Sequence, residues 1–301
     1  MASGKVAVFG VPSAAGGIAP GMERGAFALR EAGLLGALRK DAAVVHLSDL
    51  SLFPFQDDSE HPHCRNVALA ACAARATADE MARALAEGFT LVIGGDCSIV
   101  VGTMGGARAF LGVPVGLIFI DANADLNTPE TSPSGRLAGM ALAMATGLGP
   151  EEMTMAGGVR PAVDPDHVAL VGFRALDRGE RPRLGALGLA LPATAARTLG
   201  MRATAALALD AVNNDAGPIV VHFDVDAIDP EAMPAKAATT PGEGFTWREA
   251  SDLLTALMAS PRVIALELTE FVPDRDPDGA CARRLVELLA RVMAPRGRRK
   301  A

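Results

Sequence analysis

The sequence predicts one α/β domain, a mostly parallel sheet with helices on both faces. Short apolar runs alternate along the whole chain with longer stretches rich in Ala, Leu and Arg. The short runs are apolar at consecutive positions, as in strands buried on both faces. With 301 residues, 50% of them apolar and 21% charged, the chain can close a substantial core without disulfides.

The elements follow in order. VAVFG at 6–10 reads as a strand, and 24–40 returns an apolar residue every three or four positions, a helix. AVVHL at 43–47 is the second strand, and 66–87 a long amphipathic helix. TLVIG at 90–94 is a strand that runs into a Gly-Gly pair, and 98–111 returns apolar residues at helical spacing. VPVGLIFI at 113–120 and VALVGF at 168–173 are strands, with a helix over 137–146 between them. A helix over 193–212, a strand over 219–225, a helix over 247–259, a strand over 263–268 and a helix over 279–293 complete the alternation. No composition break marks a linker, so 1–294 reads as a single domain and the basic stretch 295–301 as a frayed tail.

Composition excludes several functions. A formal charge of -7, one Trp and no Tyr suit neither phosphate backbones nor base stacking, so no nucleic-acid partner is expected. Charged residues interrupt every long apolar segment, so no membrane span is expected. Cys64, Cys72, Cys97 and Cys281 lack regular spacing and no basic, apolar leader opens the chain, which together predict free thiols and a cytoplasmic location. The loop GGIAPG at 16–21 lacks the spacing of a phosphate or dinucleotide loop. His61, His63 and Cys64 have no fourth ligand nearby and read as a solvated loop.

In parallel sheets ligands sit beyond the carboxyl ends of strands. Three such ends are acidic: Gly94-Gly95-Asp96-Cys97-Ser98, Asp121-Ala122-Asn123-Ala124-Asp125, and His222-Phe223-Asp224-Val225-Asp226. Strand alternation puts His222, Asp224 and Asp226 on one face. Single acids after strands commonly cap helices, but Asp121, Asp125, Asp224 and Asp226 together make the composition of a site for one or two divalent cations.

These segments resemble the ureohydrolase superfamily of arginase, agmatinase and formimidoylglutamase, nearly end to end. Its GGDHS corresponds to residues 94–98, its DAHxD to 121–125 and its SxDxDxxDP to 222–230, with GVPSAAGGIAPG and Glu270-Phe271-Val272-Pro273 in family order. The resemblance implies a three-layer αβα sandwich around an eight-stranded, mostly parallel sheet, homo-oligomers, and two metal ions, usually manganese, that activate water for attack on a guanidinium or amidine carbon. By position it assigns Cys97, Asp121, Asp125 and Asp224 to one ion and Asp121, Asn123, Asp224 and Asp226 to the other. Asp125 would also hydrogen-bond the attacking oxygen, and Glu270 would orient the guanidinium. The stretch 125–135 is most similar to the arginase branch, where Asn127, Ser132 and Ser134 would take an α-carboxylate; Asp177 and Glu180 match acids that take the α-ammonium.

Three family histidines are replaced, by Cys97, Asn123 and Ala138. Ala138 moves no proton. A Cys97 thiolate favours zinc or iron(II) over manganese, and the neutral Asn123 oxygen is a weak ligand, so one tight and one weak or absent ion is expected. His222 offers a compensating ligand or supporting hydrogen bond. Arg136 would either reach the carboxylates of a metal-free protein or clamp an anionic substrate group. The leading reading is therefore a metal-dependent hydrolase of a guanidino or amidino C–N bond with an atypical centre, acting on a small molecule. The alternative is a catalytically inactive, metal-poor relative that binds an amino acid or a partner. A third reading makes Cys97 a nucleophile with His222 as its base.

Overall fold

All seven expected strands and an eighth form the sheet in the computed structural model, which describes residues 4–212 and 217–297. They are β1 (Lys5–Gly10), β2 (Ala43–His46), β3 (Phe89–Ile93), β4 (Gly116–Ile120), β5 (Val168–Val171), β6 (Leu189–Leu191), β7 (Ile219–Asp224) and β8 (Val263–Thr269). Every pairing is parallel, in the order β2-β1-β3-β8-β7-β4-β5-β6. The central strands are buried throughout, as their unbroken apolar runs require, while the edge strands β2 and β6 are partly exposed.

The helices are α1 (Gly25–Glu31), α2 (Leu34–Leu38), α3 (Val67–Glu87), α4 (Val100–Leu111), α5 (Ala141–Ala145), α6 (Glu151–Thr154), α7 (Ala193–Leu199), α8 (Met201–Ala211), α9 (Trp247–Ala259) and α10 (Ala280–Gly297). Alternate side chains of each strand enter opposite cores. Val8, Leu91, Ile118 and Val221 pack with α1, α2 and α7–α10, whereas Phe9, Val92, Phe119 and Val220 pack with α3–α6. The expected three-layer αβα sandwich is thus present.

Several boundaries differ from the sequence expectations for local reasons. The helices expected over 24–40 and 193–212 are each broken by a glycine at positive φ, Gly33 at 95° and Gly200 at 83°. The strand expected from 113 begins at Gly116, because Pro114 has no N–H to give a ladder. The helix expected over 137–146 starts as a 3-10 turn, Ala138–Met140. The strand β6 is three residues long, too short to carry a periodicity. At the other end, α10 continues through Pro295 to Gly297 where a tail was expected. Arg296 there donates to the Ser260 carbonyl at 2.6 Å and lays its guanidinium over Phe89, 4.9 Å from the ring centre. Residues 298–301 of that tail lie outside the described residues.

Candidate active site and metal centre

The strands β3, β8, β7 and β4 end side by side at the middle of the sheet, and each delivers a donor group past its carboxyl end. After β3 the chain passes Gly95, where a Cβ would lie 1.6 Å from the Ser13 carbonyl oxygen, so only glycine fits. Asp96 accepts hydrogen bonds from Ser13 Oγ, Gly16 N and Ser98 N at 2.9, 3.3 and 3.0 Å. It ties the loop after β1 to the loop after β3 and leaves Cys97 buried at the floor of a cleft.

After β4 come Asp121, fully buried, then Asn123, then Asp125 with φ 50°. Glu270, after β8, has φ 67°. Left-handed backbone is uncommon for such residues, and here it falls on both acids expected to handle substrate. The strand β7 ends at Asp224, and a 3-10 turn (Val225–Ala227) brings Asp226 round, its N–H donating to Asp224 Oδ1 at 2.6 Å. This corrects the expectation of one strand face: Asp226 belongs to the turn, and His222 lies within the sheet, fully buried. Glu270 Oε1 accepts from the Cys97 N–H at 3.1 Å, and Cys97 Sγ lies 3.3 Å from Asp224 Oδ2.

The cleft, about 180 Å³, suits a small molecule; Cys97, Asp125, Asp224, Asp226 and Glu270 line it. Burial is the largest influence on Asp121, Asp125, Asp224 and Glu270. It pushes the Asp121, Asp125 and Asp224 carboxyls well above their usual range, with neighbouring carboxylates adding to it. Glu270 is raised to about 8 by burial and then by Asp96. Burial likewise raises the Cys97 thiol, and Asp224 raises it further. Like charges this close hold protons until a cation replaces them.

A divalent ion suits part of this arrangement well. Donor atoms of Asp121, Asp224 and Asp226 lie within 4.8 Å of one another, as do those of Cys97, Asp224 and Glu270 and those of Cys97, Asp121 and His222. Asp121 Oδ2 is buried with no hydrogen-bond partner, which favours a cation beside it. The position beside Asn123 fits less well. Asn123 Nδ2 donates to Asp226 Oδ2 at 2.9 Å and Thr240 Oγ1 donates to the same oxygen at 3.2 Å, while Ala122 N donates to Asp226 Oδ1 at 3.0 Å. Both Asp226 oxygens already have donors.

Arg136 does not fill the acidic centre. Its guanidinium donates to the Gln56 carbonyl at 2.8 Å and to Asp57 Oδ1 at 3.0 Å and stacks on Phe55, which turns it away from the carboxylates, although the residue lines the cleft. The cations on that side are instead Arg174, which donates to the Asp226 carbonyl at 2.9 Å, and Lys236, 1% exposed with Nζ unpartnered. Burial pulls the Lys236 pKa down, and Asp226 is the first influence opposing that.

At the mouth, Ser132 Oγ and Ser134 Oγ accept from the Gly135 and Arg136 N–H groups, leaving both hydroxyls as donors. Asn127 Nδ2 donates to Asp177 Oδ2 at 2.9 Å and its Oδ1 is buried without a donor, so Asn127 presents an acceptor more than the expected carboxylate clamp. Glu180 accepts from the Leu126 and Asp177 N–H groups at 2.9 and 2.7 Å, holding two loops together. For the nucleophile reading, His222 lacks direct contact with the thiol: Thr269 Oγ1 stands between them, 3.2 Å from Cys97 Sγ and 3.4 Å from His222 Nε2.

Thr240, Lys236, Glu267 and Thr269 complete the site, and no motif marks them. The one available signal is Glu267 itself, a charge inside the apolar run VIALELT that must be paired once buried.

Fold and site together define an α/β protein with a cleft of converging carboxylates at the carboxyl edge of its sheet. The Arginase family model matches residues 4–294, and the chain belongs to the arginase family, within the ureohydrolase superfamily. It is 30% identical to the arginase of Bacillus caldovelox and 31% identical to that of Brevibacillus brevis, covering 94% and 95% of this chain and 96% and 97% of theirs. Among solved structures, Bacillus cereus arginase aligns with TM-score 0.86 at 28% identity over 96% of this chain and 98% of that one. Entamoeba histolytica arginase in complex with L-ornithine aligns with TM-score 0.87 at 25% identity over 97% and 99%. Among the described residues no helix is long and apolar enough to cross a membrane.

Proposed function

We propose that this protein is a metal-dependent hydrolase of the C–N bond in a linear guanidino compound, with a guanidino amino acid as substrate. One observation carries the reading: four buried acids, Asp125, Asp224, Asp226 and Glu270, line one small cleft, and a fifth, Asp121, lies buried within 4.8 Å of Asp224 and Asp226. Such a group is costly without a cation. The amino-acid part of the substrate is supported by the hydroxyls of Ser132 and Ser134 at the mouth and by the arginase relatives, one of them bound to L-ornithine.

Cys97, Asp121 and Asp224 would hold the ion, which when bound supplies Lewis acidity and lowers the pKa of water. The protein's own groups do the rest. Glu270 takes the guanidinium through charge-assisted hydrogen bonds, and the arriving cation draws its carboxyl into the ionised form. Asp125 holds the attacking water. As the water oxygen bonds to the central carbon, its proton passes to Asp125 and from there to the departing nitrogen, and the C–N bond breaks to give urea and an amine. The loop around Ser132 and Ser134 fixes the α-carboxylate, with Asp177 taking the ammonium. Manganese is the family's usual ion; zinc or iron(II) suits Cys97 better. With this reading go two further expectations, a cytoplasmic location and a homo-oligomer.

The test is urea and amine release from a panel of guanidino and amidino compounds, with the protein loaded anaerobically with manganese, zinc or iron(II). Release from a guanidino amino acid, abolished in Asp125→Asn, is expected. No turnover with any ion on any compound would sink the reading.

The inactive alternative draws on the donors already given to Asp226 and on Ala138, which has no side chain to move a proton. Its signature is calorimetric binding of an amino acid without urea release.

A further inference from the structure

We propose that His222 is a metal ligand, forming with Cys97 and Asp121 a three-donor face, beneath the floor of the cleft, that selects a thiophilic ion such as zinc. The loop histidine lost at Cys97 is replaced by one rising from within the sheet. The proposal rests on the preceding reading only in taking the site to hold a divalent ion.

Three adjacent strands prepare the imidazole. Phe119 on β4, His222 on β7 and Glu267 on β8 are register partners in one row across the sheet. The His222 ring stacks on Phe119, centroids 4.1 Å apart and planes 4° from parallel. Its Nδ1 lies 2.6 Å from Glu267 Oε1, and Thr103 donates to the other Glu267 oxygen; His222 and Glu267 are both fully buried. A carboxylate only accepts, so Nδ1 carries a proton, and the ring so held aims Nε2 toward Thr269 and Cys97. A carboxylate that fixes the tautomer and orientation of a histidine is the standard support of a metal-bound imidazole.

Proton counting points the same way. The Cys97 thiol has one hydrogen, and Asp224 Oδ2 at 3.3 Å accepts it. The Thr269 hydroxyl also has one, and it faces two acceptors, Cys97 Sγ and His222 Nε2. It can serve only one of the two, and Asp121 Oδ2 is buried with no hydrogen-bond partner. The sulfur, the imidazole nitrogen and the Asp121 carboxylate lie within 4.8 Å of one another, all fully enclosed. A cation there would be met by all three groups at once, and binding it would release the protons they hold. A sulfur, nitrogen and oxygen donor set matches zinc's preferences better than manganese's.

The test reads metal binding directly. Metal-free protein titrated with cobalt(II) should develop a thiolate-to-cobalt charge-transfer band at one equivalent, lost in Cys97→Ser. Zinc affinity should fall at least about 10-fold in both His222→Gln and Glu267→Gln. Because a buried variant can misfold, the deciding measurement uses the unaltered protein: the ¹⁵N resonance of His222 Nε2 should move on zinc addition. A resonance unmoved by saturating zinc would overturn the proposal, and so would a folded His222→Gln with undiminished zinc affinity. Urea release with an unperturbed His222 would refute this inference and leave the proposed function standing. A shifted resonance without any turnover would support the inference while the functional reading fell.

Discussion

Glu270 and Lys236 are opposite cases at the scale of single residues. Glu270 follows an apolar run and lies within a recognisable Glu-Phe-Val-Pro segment, so its place in the site is legible from the sequence. Replacing it by Gln keeps its shape and removes the charge that meets a guanidinium. We expect kcat/KM for urea release to fall about 10- to 100-fold, with the circular dichroism spectrum unchanged. Lys236 is a lone lysine in an Ala-rich loop, unremarkable until the chain closes over it beside Asp226 and Asp224. Its ammonium repels any incoming ion. Lys236→Met should therefore tighten divalent binding about 10-fold by calorimetry, and manganese should gain most because the Asp226 side is then less positive. The same contrast separates Cys97, Asp121, Asp125, Asp224 and Asp226 from Glu267 and Thr269. The first group follows strand ends; the second acquires partners only through contacts such as Glu267 to Thr103, 164 residues apart.

Elements were legible wherever an apolar period ran long. The helices α3, α4 and α9 and all seven longer strands fall where their residue patterns put them, within a few residues. The misplacements occur where one residue outweighs a period, as Gly33 and Gly200 do by ending helical turns. Packing between elements is less visible. Gly102 and Gly106 of α4 meet α3 backbone to backbone: a Cβ would lie 2.1 Å from the Ala74 carbonyl oxygen and 2.4 Å from that of Ala78. Alanine at either position should cost about 2 to 4 kcal/mol in urea denaturation, since neither helix can give way. Gly36 in α2 is the control. It is exposed with nothing within 4 Å of its Cβ position, so Gly36→Ala should stabilise by roughly 0.5 to 1 kcal/mol.

The whole molecule stores its acids at the meeting of four strand ends, and that makes stability depend on pH and metal together. Asp121, Asp125, Asp224 and Glu270 all titrate higher folded than unfolded, Glu270 at about 8. Acids of this kind bind more protons in the folded state than in the unfolded one. Their contribution is complete below the unfolded carboxyl range near ~4 and is lost as pH rises through the folded values. Metal-free protein should thus melt at progressively lower temperature from about pH 4.5 to pH 8. Zinc should raise the Tm most at the upper end, because an ion replaces the protons. A flat Tm over that window, with and without zinc, would contradict the clustering.

The sequence by itself determined the class of fold and most of the acids, because strand burial and the residues that follow a strand are written locally, in consecutive positions. The tertiary structure alone decided how charge is balanced among them. Arg136 goes to Asp57, Lys236 is buried with its Nζ unpartnered, and His222 meets Glu267. Those pairings depend on which distant segments fold against each other, and electrostatics acts through space whatever the separation along the chain.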